Sequence, residues 1–263
     1  MNLGIIGAGT IGNYVCIKAT ERGHRVGAIL RRAVTTSPGD EAEGAAAVVT
    51  SVSRLPSDIE HVIDCAGHEA LQAYGADILR RGIDLTTVSL GALADESLHR
   101  ELIRAARDGN SRLHLVSGAI GALDCLRAAR VGGLTEVTYS GRKPAGSWKG
   151  TPAEDAFDLE GLCAPEVIFA GTAREASAAY PKNANVAAAV ALAGLGFDAT
   201  RVRLIADPQV VENVHEVEAR GEFGEFSFRI VGRAVPDNPR TSALAAMSVI
   251  SSLEQEAESI RFY

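Results

Sequence analysis

The chain has 263 residues, 46% of them hydrophobic, with a formal net charge of -7 at pH 7. That length buries a substantial core in one large or two modest domains. The negative balance excludes a general nucleic-acid binder, which needs a basic face to displace counterions from phosphates. The sequence lacks a basic leader ahead of its first apolar run and any window of roughly 18 uninterrupted apolar residues, the length of a membrane helix. Cys16, Cys65, Cys125 and Cys163 form no C-x-x-C pair and have no histidine at metal-ligand spacing. The expectation is a cytoplasmic protein with reduced thiols, no metal and no membrane partner.

The first predicted strand, residues 3–6, runs into Gly7-Ala8-Gly9-Thr10-Ile11-Gly12 and then a helical stretch. In that setting G-x-G-x-x-G reads as a dinucleotide cradle. The first glycine makes the tight turn, the second lets the backbone approach a pyrophosphate, and the third lets helix and strand pack closely. The helix N-terminus then faces the phosphates. The second strand, residues 25–30, ends at Leu30-Arg31-Arg32, where an NAD site usually carries an acid for the ribose hydroxyl. Arginines there attract a 2′-phosphate, so the cofactor expected is NAD or NADP, with Arg31 as a contact. Plain solvent exposure is the ordinary alternative for both arginines.

Strands over 61–65, 85–89 and 113–117 follow, separated by helical stretches. The clearest helix covers 96–107, where Leu98, Leu102, Ile103 and Ala106 recur at helical spacing. Gly23, Gly82 and Gly109 follow the predicted helices, where a left-handed residue is expected. Strands alternating with helices predict an α/β fold, a Rossmann-type doubly wound parallel sheet over residues 1–117.

At Ser117-Gly118-Ala119-Ile120-Gly121 the texture changes, and a second α/β domain is expected over 118–240 for substrate binding and dimerisation. It opens with a helix over 122–130 and a strand over 136–140. A long loop over 141–165 then carries Pro144, Pro152, Pro165 and the single tryptophan, Trp148. Arg142, Lys143 and Lys182 are cationic groups at loop edges; they can hold carboxylates, although isolated basic side chains are usually solvated. Asn183 and Asn185 lead into an apolar helix over 187–195, where they either cap the helix or contact a ligand.

Predicted antiparallel strands over 202–205, 210–220 and 225–233 include a hairpin near Gly221 and Gly224. Alternation puts His215 on the face of Val217 and Ala219, opposite Glu216 and Glu218, toward the covered side of the sheet. A buried core histidine is the commoner outcome there, and an acid/base facing a pocket is the other. A final helix over 241–258, apolar at Leu244, Met247, Ile250 and Leu253, is expected to pack back on the first domain.

The glycine motif, Ser117-Gly-Ala-Ile-Gly-Ala-Leu-Asp124, Gly141-Arg-Lys-Pro144, Tyr180-Pro-Lys-Asn-Ala-Asn-Val-Ala187 and Asn213-Val-His215 together resemble the L-aspartate dehydrogenase family, in order and over nearly the whole chain. The resemblance implies oxidative deamination of L-aspartate by NAD or NADP to 2-iminosuccinate, and on to oxaloacetate and ammonia, possible in reverse and able to feed NAD biosynthesis. It also implies a homodimer. His215 matches the active-site histidine, and Ala119 and Asn185 match nicotinamide contacts beside Gly7, Ala8, Gly9, Thr10, Ile11 and Gly12. Lys182 and Arg142 are the guesses for the substrate carboxylates. Two rivals stand beside this reading: a related reductase of a dicarboxylic imine or semialdehyde, and an NAD(P) sensor without turnover.

Overall fold

A computed structural model describes residues 1–32, 46–181, 183–235 and 238–260. Met1–Val116 together with Val249–Ile260 form one compact unit, and Ser117–Ser248 belong to a second.

The first unit contains β1 (Asn2–Ile6), α1 (Thr10–Glu21), β2 (Arg25–Leu30), β3 (Ala47–Val49), β4 (His61–Asp64), α2 (His68–Arg80), β5 (Asp84–Thr87), α3 (Glu96–Gly109) and β6 (Leu113–Leu115). Its six strands lie in the order β3-β2-β1-β4-β5-β6, every pair parallel. This is the predicted Rossmann-type sheet. Its strand order reverses between β1 and β4, and such a switch point opens a crevice for ligand at the carboxyl ends of the strands. β4 is buried along its whole length, so Val62 and Ile63 lie in the core and the flanking His61 and Asp64 are buried polar groups that need hydrogen-bond partners.

The core joins Leu3, Ile5, Val15, Ala19 and Ile63 to Val249, Ile250 and Leu253 of the C-terminal helix. Each of the valine, leucine and isoleucine side chains contributes about 1.5–3 kcal/mol by leaving water. Met247, predicted on the same apolar stripe, is instead exposed.

Gly23 and Gly82 take left-handed conformations after their helices, as predicted. Gly109 does not: Asn110, at φ 51°, turns the chain. Gly109 is needed for a different reason, since a Cβ there would lie 1.8 Å from the Leu79 carbonyl oxygen. Asp95 starts α3 by accepting the Ser97 and Leu98 N–H groups.

The second unit contains α4 (Leu123–Gly132), β7 (Leu134–Lys143), α5 (Pro152–Ala156), β8 (Glu166–Thr172), α6 (Ala173–Ala179), α7 (Asn185–Ala193), β9 (Arg201–Ala206), β10 (Asn213–Gly221) and β11 (Gly224–Gly232). The small pair β12 (Ala234–Val235) and β13 (Asn238–Ser242) precedes α8 (Ala243–Ala257). Five strands form a mixed sheet, ordered β11-β10-β7-β9-β8.

Three expectations change here. β9 pairs parallel with β7, and only β8 meets it antiparallel. β3, β8 and α6 arise where no element was predicted. Finally, β7 continues through Arg142 and Lys143, residues assigned by sequence to a loop edge.

The faces of this mixed sheet differ sharply. Val137, Tyr139, Val217 and Ala219 are buried on one, while Arg203, Glu218, Arg220, Ser227 and Arg229 are exposed on the other.

Candidate active site

The glycine turn lies between β1 and α1. Gly7 has φ +89°, and a Cβ on it would meet that of Ala66 at 2.8 Å. A Cβ on Gly12 would come within 2.4 Å of the Gly7 carbonyl oxygen, so this glycine lets the helix pack against the turn. A Cβ on Gly9 would meet nothing within 4 Å. The three positions thus divide into a turn, an open approach and a tight packing contact, as the fingerprint requires. The first turn of α1 has no acidic residue and no side-chain cap. Its positive dipole end is therefore not offset by a carboxylate of its own.

Asp64 forms the floor beside this turn. It is fully buried and accepts hydrogen bonds from the Ser89 hydroxyl at 2.6 Å, the Thr87 hydroxyl at 2.7 Å and the Ala66 N–H at 3.0 Å. Burial pushes its carboxyl upward, against the opposing pull of these donors. The bond to Ala66 fixes the turn after β4, which packs against Gly7.

Beyond β2, Arg31 donates its backbone N–H to the Val49 carbonyl at 2.9 Å, while its Nε is buried with no partner among the described residues. Arg32 pairs with Glu69 at 2.8 Å, both side chains more than 80% exposed. An open approach at Gly9, an uncapped helix end and a basic group with an unused buried donor fit an anionic dinucleotide. Arg31 is the better placed of the two arginines to contact it.

The second cluster lies on the covered face of the mixed sheet. His215 pairs in register with Gly141, and Tyr139 with Val217, so Tyr139 and His215 are diagonal neighbours on one face. The Tyr139 hydroxyl and His215 Nδ1 are 2.8 Å apart. The tyrosine reaches across Gly141, where a Cβ would lie 2.6 Å from its oxygen. Gly141→Ala is therefore expected to push Tyr139 off His215 and destabilise the fold by roughly 1–3 kcal/mol. A lower denaturation midpoint together with shifted His215 ring resonances would bear this out; an unchanged ring environment would refute it.

His215 is 4% exposed, and burial, reinforced by the Lys143 charge, lowers its pKa to about 4. It is thus a neutral imidazole at neutral pH. The Lys143 ammonium donates to Asn183 Oδ1 at 2.6 Å and sits 5.4 Å from the centre of the Trp148 ring. Burial lowers its pKa to about 8. Trp148 is fully buried and meets Tyr180 edge-on at 6.0 Å. The Tyr180–Asn185 motif and the end of β7 therefore converge on Lys143 and His215.

The predicted residues divide accordingly. Arg142 points to the opposite face from His215, because adjacent strand residues alternate, and it is held by Asp207 at 2.6 Å. Lys143, not the expected carboxylate ligand Arg142, is the cation that acts on His215. Lys182 lies outside the described residues. Asn185 opens α7 behind Ala184, so neither asparagine is the N-cap residue. Ala119 is buried in the segment after Gly118, which is left-handed at φ +65°. Tyr139, Trp148 and Asn183 are the members of the cluster that sequence reasoning did not assign, and alternation along a longer β7 would have found Tyr139 together with Lys143.

Comparison with known proteins agrees over both units. Residues 124–256 match the family described as aspartate dehydrogenase, C-terminal, and residues 7–116 match the homoserine dehydrogenase NAD binding domain. An L-aspartate dehydrogenase of Cupriavidus taiwanensis is 51% identical, with 84% of this chain and 85% of its own covered. That of Ruegeria pomeroyi is 48% identical, with 99% of this chain and 94% of its own covered. The crystal structure of aspartate dehydrogenase from Thermotoga maritima superposes with a TM-score of 0.80 at 28% identity, covering 100% of this chain and 99% of that one.

Proposed function

Because the chain belongs to the L-aspartate dehydrogenase family, we propose that His215 and Lys143 are the groups through which it oxidatively deaminates L-aspartate to 2-iminosuccinate. Water then converts the imine to oxaloacetate and ammonia, and the sequence can run in reverse. What carries this assignment is the juxtaposition of a neutral histidine and a partly buried ammonium on one covered sheet face. The cofactor, NAD or NADP, supplies the hydride acceptor when bound. Gly7, Ala8, Gly9, Thr10, Ile11, Gly12 and Arg31 hold it, with Ala119 and Asn185 at its nicotinamide end.

Lys143 binds a substrate carboxylate. Asn183 occupies one of its three donors and leaves two for the anion. The Trp148 ring steadies the cation. His215 Nδ1–H donates to the Tyr139 oxygen, and this tautomer leaves the Nε2 lone pair as the base. Nε2 takes the proton from the substrate ammonium, so that its nitrogen lone pair can drive loss of hydride from Cα. Once that proton has passed to solvent, the free Nε2 takes a proton from the water attacking the imine carbon and returns it to the departing amine. The two substrate carboxylates raise the basicity of His215 from its value in the free protein, since nearby negative charge favours imidazolium.

The reading includes a cytoplasmic homodimer. The exposed polar face of the mixed sheet, with Arg203, Glu218 and Arg229, is the surface a second copy would cover. A solution mass equal to two chains would support it, and a single-chain mass would exclude it.

The activity is tested by following reduced-cofactor absorbance with L-aspartate and NAD or NADP; silence with both would overturn it. Arg31→Asp is expected to weaken use of NADP about tenfold or more while largely sparing NAD, since a carboxylate repels a 2′-phosphate and accepts from a ribose hydroxyl. Equal losses with both cofactors would place the 2′-phosphate contact elsewhere.

A further inference from the structure

Far from the catalytic cluster in sequence, four side chains of the first unit meet at the edge where β4 and β5 begin. His61 opens β4, Asp84 opens β5, His114 lies in β6 and Glu256 stands near the end of α8. We propose that they form a binding site for one divalent transition-metal ion of the zinc type, which ties the end of α8 to the three strands.

The geometry suits such an ion. His61 Nδ1 lies 3.3 Å from Glu256 Oε2, His114 Nε2 lies 3.1 Å from Glu256 Oε1, and His114 Nε2 lies 3.3 Å from Asp84 Oδ2. One ligand atom from each of His61, Asp84 and Glu256 falls within 4.8 Å of the others. A tetrahedral zinc with bonds of about 2.0–2.1 Å separates its ligand atoms by roughly 3.3 Å. These three separations are close to that spacing, but they use both Glu256 oxygens and the compact trio is His61, Asp84 and Glu256, so His114 joins as fourth ligand only through side-chain rotation.

Supporting contacts aim the ligands. His61 Nε2 bonds to the Thr86 hydroxyl at 2.7 Å, which leaves Nδ1 directed at Glu256. Asp84 Oδ1 accepts the Arg112 backbone N–H at 2.7 Å, which leaves Oδ2 toward His114. His61 is 2% exposed, and the other three are partly buried. Two imidazoles and two carboxylates neutralise a dication, and a mixed nitrogen and oxygen set favours zinc over the all-oxygen preference of magnesium or calcium. The Arg112 guanidinium also acts on Glu256, so the ion competes with that charge. The ligands are scattered over nearly the whole chain, which hides the site from any spacing rule.

The experiment strips the full-length protein with a chelator and titrates it with Co2+, then Zn2+. The expected result is one saturable equivalent, a four-coordinate Co2+ visible spectrum without thiolate charge transfer, and a Tm raised by several degrees at hundredfold excess over Kd. His114→Gln and Glu256→Gln are each expected to weaken binding about 100-fold or more while leaving L-aspartate turnover unchanged. If either variant fails to fold, X-ray absorption on the loaded unmodified protein must still show nitrogen and oxygen ligands only. Absence of saturable uptake would overturn the site and identify a hydrogen-bonded network. A thiolate band, reporting the exposed Cys125 or Cys163, or binding that survives both substitutions, would overturn it as well. None of these outcomes bears on the deamination reaction.

Discussion

His215→Asn is expected to lower kcat for L-aspartate about 100- to 10,000-fold, the usual contribution of a general acid/base, while leaving NAD(P) affinity unchanged. Asparagine keeps a polar group that can still face Tyr139, so the substitution removes the titrating lone pair with little disturbance of packing. Steady-state rates and cofactor titration separate the two effects. Unchanged turnover would remove His215 from the mechanism, and lost cofactor binding would make it structural. The pH profile sharpens the test. With a free-enzyme pKa of about 4, His215 is already the unprotonated base across the neutral range, so kcat/KM should not fall on the acid side until pH approaches that value. Stability follows the same sign. The unfolded histidine binds a proton near pH 6.5 and the folded one only near 4, so protonation favours the unfolded chain. Stability should therefore decline as pH drops through that window.

Lys143→Met should lower kcat/KM about 100- to 1,000-fold, or about 3–4 kcal/mol, the scale of removing one partner of a buried charged hydrogen bond. Methionine fills much of the same volume against Trp148, so folding should survive. Burial disfavours the charged ammonium and lowers its pKa to about 8. Lys143 is therefore cationic below that pH and neutral above it, and kcat/KM should fall on the alkaline side with an apparent pKa near 8. Lys143→Arg retains its charge in that range and should move the limb upward even if its geometry lowers the rate. An alkaline limb that ignores both substitutions would assign it to another group.

Much of the first unit was legible because buried parallel strands advertise themselves as short apolar runs, and because Gly7, Gly9 and Gly12 perform separable steric tasks visible in their spacing. Gly109 shows the limit: its closeness to the Leu79 carbonyl is a contact across helices, and no local rule distinguishes it from a helix terminator. In the second unit, alternation correctly put His215 on the covered face. The predicted strand over 136–140 leaves Arg142 and Lys143 at a loop edge with no face; β7 runs three residues further, and alternation over them sends Arg142 to Asp207 and Lys143 toward His215.

By itself the sequence determined the dinucleotide turn, the Rossmann-type sheet, the family and the face of His215, since each follows from backbone sterics, local periodicity or ordered motifs. Only the tertiary structure decided which cation stands beside His215, that Tyr139 passes over Gly141 to reach it, and that both groups lose protons more readily than they would in water. Those outcomes depend on strand register and on burial by segments far apart in the chain. Electrostatic interactions and desolvation act over distances in space, and only folding sets them.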